Sequence, residues 1–125
     1  MRKLASIILF LAIVSNSFGQ SKNSPLQISH LTGDFYVYKT FHDYKGTLIS
    51  ANSMYLVTDK GVVLFDAPWD ETQFQPLLDS IKAKHNKDVI MLFGTHSHED
   101  RAGGFDFYRK KGIKTYSGKL TDNIL

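Results

Sequence analysis

The residues best equipped for chemistry in this chain are consecutive: His96-Ser97-His98-Glu99-Asp100. Two imidazoles and a carboxylate recur at every second position. On an extended segment that spacing sets the three side chains on one side of the backbone. Imidazole nitrogen with carboxylate oxygen suits a borderline-soft divalent cation, zinc first. The cluster follows the apolar run Val89 to Phe93 directly, and Gly103-Gly104 lies just beyond it. It is therefore expected at the carboxyl end of a strand, where α/β sheets place their sites. Cysteine is absent, so these residues supply neither a thiolate ligand nor a disulfide. No Gly-x-Ser-x-Gly occurs to present a serine nucleophile.

Holding such a cluster requires a sheet, and the chain reads as one. Leu26 to Leu31, the aromatic and β-branched Phe35 to Phe41, Ser50 to Thr58 and Val62 to Phe65 are successive strands. Thr32-Gly33-Asp34, Asp43-Tyr44-Lys45-Gly46 and Asp59-Lys60-Gly61 are the turns between them, giving a β-meander. The period then changes. Phe74, Leu77, Leu78 and Ile81 form the stripe of an amphipathic helix, ended by Lys82, Lys84 and His85. Its start is open to two readings: a capping box from Asp70 to Gln73, or a start near Gln75 with Pro76 in the first position. Val89 to Phe93 is a buried strand. A second helix is expected from Arg101 to Lys111, with Phe105 and Tyr108 facing inward and Gly112 as its cap. Ile113 to Ser117 is a short strand, and Thr121-Asp122-Asn123 opens a further helix. Residues 20–125 therefore read as the N-terminal half of a larger domain.

Composition narrows the function classes. With 42% hydrophobic and 22% charged residues, the 125-residue chain has the make-up of a folding globular segment, not a disordered one. The net charge of +3 includes Arg2 and Lys3, and what remains is close to neutral. No nucleic-acid footprint follows from it. Arg2-Lys3, the apolar run Leu4 to Val14 and the small residues Ser17 and Gly19 describe a signal peptide over 1–19, with cleavage before Gln20. The apolar run is far short of the ~20 residues that span a bilayer. With no cysteine to acylate, no membrane anchor is expected. The protein is expected in the periplasm or outside the cell.

Thr95 to Gly104 resembles the metal motif of the metallo-β-lactamase superfamily. Asn52 to Trp69 is similar to the strand-turn-strand of secreted class B β-lactamases of the first subclass, flavobacterial type. The likeness runs from about Leu26 to Leu125. It implies an α/β fold, an αββα sandwich present as its incomplete N-terminal half. It also implies zinc-dependent hydrolysis of a β-lactam antibiotic's amide bond, and so resistance, by a protein that is a monomer at full length. Residue by residue, His96 and His98 match two of three histidines of a first zinc site. Asp100 matches a ligand of a second zinc that also orients the attacking water. A third histidine, a cysteine and a last histidine would lie beyond Leu125, so the 125 residues alone are expected to be inactive. Glyoxalase-, lactonase- and nuclease-like branches carry histidine where this chain has Arg101, which argues against a lactonase or thioesterase. A non-catalytic secreted zinc-binding module is the reading from a different class. The hairpin from Phe41 to Ile49 corresponds to a flap, with Phe41, Tyr44 and Leu48 placed to pack on a drug's apolar side chain. Trp69 and Asp66 read as structural. His30, His42 and His85 are expected on the surface.

Overall fold

The computed structural model describes residues 26–124, so the expected signal peptide lies outside the described residues. Four strands run antiparallel in sequence order: β1 (Gln27–Thr32), β2 (Phe35–Tyr44), β3 (Thr47–Thr58) and β4 (Gly61–Phe65). β5 (Val89–Gly94) and β6 (Lys114–Ser117) then add in parallel, giving one six-stranded sheet in the order β1-β2-β3-β4-β5-β6. A meander followed by two αβ units is the expected order.

Several boundaries differ from the sequence reading. β2 and β3 run on past Phe41 and Ser50 until Tyr44 faces Thr47. Only Lys45 (φ 52°) and Gly46 (φ 80°) make the turn. Two left-handed residues in a row match the right-handed twist of the paired strands, so a two-residue loop suffices. The first helix has a composite start. Asp70 caps a 3₁₀ turn over Glu71–Gln73, its side chain accepting the Thr72 N–H at 2.9 Å. The α-helix α1 (Phe74–His85) continues from it. Pro76 is the third residue of α1, inside the first turn, where a missing N–H has no helical partner to lose. The second helix is two pieces, α2 (Glu99–Ala102) and α3 (Phe105–Lys110), parted at Gly103-Gly104. The last element, α4 (Lys119–Asp122), starts two residues earlier than its polar cluster suggested.

The core lies on one face of the sheet. Tyr38, Tyr55, Leu64 and Leu92 meet Leu77 and Ile81 of α1 and Tyr108 of α3, all fully buried. The opposite face carries Phe65, Phe93 and Tyr116 in a row of stacked rings, with centroids 6.1 and 5.1 Å apart. Phe93 and Tyr116 remain 38% and 43% exposed. This is a sheet with its helical layer on one side; the second sheet of the expected sandwich is not among the described residues.

Candidate metal centre

β5 ends at Gly94, where an added Cβ would sit 2.7 Å from the Phe105 ring. Beyond it residues 95–98 bend and the chain enters α2. His98 takes the N-cap position with extended backbone (φ −68°, ψ 152°), and Asp100 lies in the first turn. The three side chains therefore converge through a bend and a helical turn, not through the alternation of an extended segment. His96 and Asp100 meet across four residues of this turn, His96 Nε2 standing 3.9 Å from Asp100 Oδ1. The His96 and His98 rings sit edge to face at 4.7 Å. One ligand atom from each of His96, His98 and Asp100 can be chosen within 4.8 Å of the others. His96 and Asp100 keep 45% and 27% of their side chains exposed, so the trio opens to solvent.

A buried carboxylate ties this loop to the sheet. Asp66 leaves β4 in the left-handed region, at φ 70°. Its Oδ1 accepts the Thr95 N–H at 2.7 Å, and its Oδ2 accepts the Thr95 hydroxyl at 3.0 Å. The Arg101 guanidinium stands 3.7 Å from the same Oδ2 and, through Nε, 3.3 Å from Asp100 Oδ2. Arg101 also donates to the Asn52 carbonyl at 3.0 Å and to Ser53 Oγ at 3.1 Å. Behind them the Tyr38 hydroxyl donates to the Asp66 carbonyl. Burial, foremost, pushes the Tyr38 hydroxyl's pKa well up, so it keeps its proton and remains a donor. One residue thus holds both flanks of the trio, His96 through Thr95 and Asp100 through Arg101. A cation cannot ligate a metal, and Arg101 acts instead as a clamp between two carboxylates.

His98 and Asp100 of the trio border a cavity of about 680 Å³ that Trp69, Ser97, Glu99 and Ile124 also line. A second, of about 510 Å³, adjoins it and shares Trp69 and Glu99 while reaching His42 and Asp70. Trp69, read from sequence as structural, is therefore a wall between the two. Its signal in the sequence was its place, three residues after the carboxylate that ends β4. Of the expected flap residues, Tyr44 tilts over the Trp69 ring at 6.0 Å. Phe41 and Leu48 project from the opposite face of the same ribbon, because Asp43 pairs with Leu48 and side chains alternate. The three are not brought together. Two of the histidines expected on the surface are half-buried instead. His42 stacks on Trp69 at 4.3 Å, and His85 accepts or donates at 2.9 Å to the Tyr55 hydroxyl. His30 is exposed.

Two imidazoles and a carboxylate are a donor set of the kind that zinc takes, and these 125 residues add no thiolate to it. The sequence profile described as "Metallo-beta-lactamase superfamily" matches residues 46–117. The chain is 45% identical to "Metallo-beta-lactamase type 2" of Elizabethkingia meningoseptica over 127 aligned positions, covering 100% of this chain and 51% of that protein. It is 53% identical to "Metallo-beta-lactamase IND-1" of Chryseobacterium indologenes over 95 positions, covering 76% of this chain and 40% of that one. The crystal structure of metallo-β-lactamase IND-7 superposes with a TM-score of 0.78 at 50% identity, covering 85% of this chain and 48% of its own. The chain spans about half the length of the relatives it matches.

Proposed function

The chain belongs to the metallo-β-lactamase superfamily, and from that premise we propose that residues 20–125 form the N-terminal half of a zinc-dependent enzyme that hydrolyses the amide bond of β-lactam antibiotics. The observation that carries this reading is the convergence of His96, His98 and Asp100 within 4.8 Å at the end of β5. His96 and His98 would hold a first zinc and Asp100 a second, the remaining ligands coming from the other half of the domain. When bound, zinc supplies Lewis acidity, which lowers the pKa of water from 15.7 to about 7. The chain's own residues do the positioning. Asp66 fixes Thr95 and Arg101, Arg101 fixes the Asp100 carboxylate, and Asp100 orients the attacking water towards the lactam carbonyl. Trp69 walls the space where the substrate's side chain would lie.

Arg101 favours a β-lactam over a lactone or thioester, because it removes the histidine that other branches use for the second metal. A signal peptide over 1–19 would deliver the protein to the periplasm or the medium. Among the described residues no helix is long and apolar enough to cross a membrane. The test is hydrolysis of a chromogenic cephalosporin by the full-length gene product. His96→Ala and His98→Ala should each lower the rate by at least about 100-fold, beyond the 10–100-fold typical of losing an outer-shell partner. A chelator should abolish turnover. Hydrolysis that survives the chelator would remove the zinc reading.

A further inference from the structure

A nearly neutral net charge conceals how the fold sorts its charges. β4, β5 and β6 are parallel neighbours, so they start at one end of the sheet and finish at the other. α1 and α3 run back from the metal end, and both close at the starting end, beside the β3–β4 turn. Cations collect there. Lys82 and Lys84 lie in the last turn of α1, Arg109 and Lys110 in that of α3, and Lys111 is the C-cap of α3. Lys60 sits in the β3–β4 turn, Lys87 leads into β5 and Lys114 opens β6. These residues form one surface. The Lys87 ammonium donates to the Asp59 carbonyl at 3.1 Å, joining the turn to the approach of β5. Lys82 and Lys111 line a single groove of about 430 Å³ with Leu78, Val89 and Ile113, joining the two helix ends.

Acid offsets little of this. Asp88 pairs with Lys82 at 3.0 Å, Asp106 with Arg109 at 3.4 Å, and Asp79 accepts from Gln75 at 2.7 Å. Among the described residues Lys60, Lys84, Lys87, Lys110, Lys111 and Lys114 make no ion pair, nor do Asp34 and Asp59. Helix dipoles account for cations in a last turn, where their effect is confined. They do not account for Lys60, Lys87 and Lys114, which belong to no helix. The metal end has the opposite balance, with Asp66, Asp70, Glu71, Glu99 and Asp100 against Arg101 and Lys119. Asp43 and Lys45 offset each other on the hairpin.

We propose that the lysine-rich end docks on an anionic phospholipid surface, its ammonium groups lying against headgroup phosphates. The two ends act together on orientation, since the field draws the lysines in and pushes the acids away. β5 has six residues and so spans about 20 Å. His96, His98 and Asp100 then open to the aqueous side, clear of the bilayer. Export through residues 1–19, as proposed above, would put a bilayer and not nucleic acid within reach. Only the choice of partner rests on that reading.

Vesicle sedimentation of the full-length gene product tests the docking. The protein should pellet with phosphatidylglycerol–phosphatidylcholine vesicles at low salt and stay in solution with phosphatidylcholine alone. It should be released in ~1 M salt, where the Debye length is ~3 Å. A cation near such a surface contributes about fivefold, so Lys60→Glu with Lys114→Glu should weaken binding by about 25-fold or more. Both lysines are exposed and lie outside the helices. Lys45→Glu with Lys119→Glu changes the net charge equally and should leave binding unchanged. Equal weakening by the two pairs would assign the effect to net charge and overturn the docking end. No binding to the anionic vesicles, or binding that survives ~1 M salt, would overturn the docking itself. Tighter binding to a DNA duplex than to the vesicles would overturn lipid as the partner. Should the first pair fail to fold, Lys60→Gln with Lys114→Gln removes the same charges and should still weaken binding. Sedimentation uses neither metal nor substrate, so the docking stands or falls apart from the proposed hydrolysis.

Discussion

Asp66 shows how much one side chain can organise. It ends a strand in a backbone conformation that a non-glycine residue adopts at a cost, and it spends its carboxylate on the loop that carries His96. Asp66→Ala should strip Thr95 of both bonds and leave the Arg101 cation short of a partner. A loss of about 2–4 kcal/mol is expected, read as a fall in the urea midpoint; a change inside ~0.5 kcal/mol, the usual range for an inert surface site, would show the tie to be idle. His85 sets a second residue-scale expectation. Burial, and then the Lys84 charge, hold its pKa below the ordinary 6.5. The folded state thus favours the neutral ring, packed between Tyr36 and Tyr55. The unfolded chain binds the proton more readily, so this contribution is complete above pH 6.5 and is lost as pH falls through the folded value. Urea midpoints should drop as pH falls below 6.5 towards the folded value, and His85→Phe should flatten the change. A drop of the same size in the variant would assign the effect to other groups.

At the scale of elements, the split between α2 and α3 matters most. A continuous helix from Arg101 to Lys111 reads naturally from the inward stripe of Phe105 and Tyr108. Gly103-Gly104 breaks it because α3 must lie close on the body. A Cβ on Gly104 would stand 2.9 Å from the Tyr108 ring and 3.0 Å from the Ala67 Cβ. Gly104→Ala should cost about 1–3 kcal/mol through overpacking, measurable in thermal melts. Its φ of −83° is ordinary, so no backbone strain contributes. An unchanged melt would mean that the neighbours yield freely. The hairpin teaches the converse. Asp43-Tyr44-Lys45-Gly46 carries turn residues, yet Asp43 and Tyr44 stay in the strand. Asp43 instead serves the turn from outside it, accepting the Gly46 N–H at 2.8 Å. Residue type marked the turn's vicinity, and cross-strand pairing decided its length.

For the whole molecule, the open face of the sheet is the dominant feature. Phe65, Phe93 and Tyr116 stack on the side away from the helices, and the last two keep more than a third of their surface in water. A contiguous apolar face of this kind drives association when nothing covers it. The 125-residue chain in isolation should therefore sediment as concentration-dependent oligomers. Phe93→Ser should raise the monomer fraction, since its half-exposed ring contributes less to the core than to the open face. A monomeric chain with a cooperative melt would contradict this.

The sequence by itself determined what depends on near neighbours. The meander, the helical stripe of α1, the strand that ends before the polar cluster and the donors His96, His98 and Asp100 all follow from periodicity and side-chain chemistry within a few residues. Tertiary structure alone decided the contacts that span the chain. Arg101 reaches the Asn52 carbonyl across 49 positions, and Gln73 reaches Phe41 across 32. Trp69 became a cavity wall and His42 its partner only once β2 had been laid beside β3 and the Trp69 loop folded back beneath them. Local propensity cannot encode such meetings, because they depend on strand order and register, which are settled by how the apolar faces pack together.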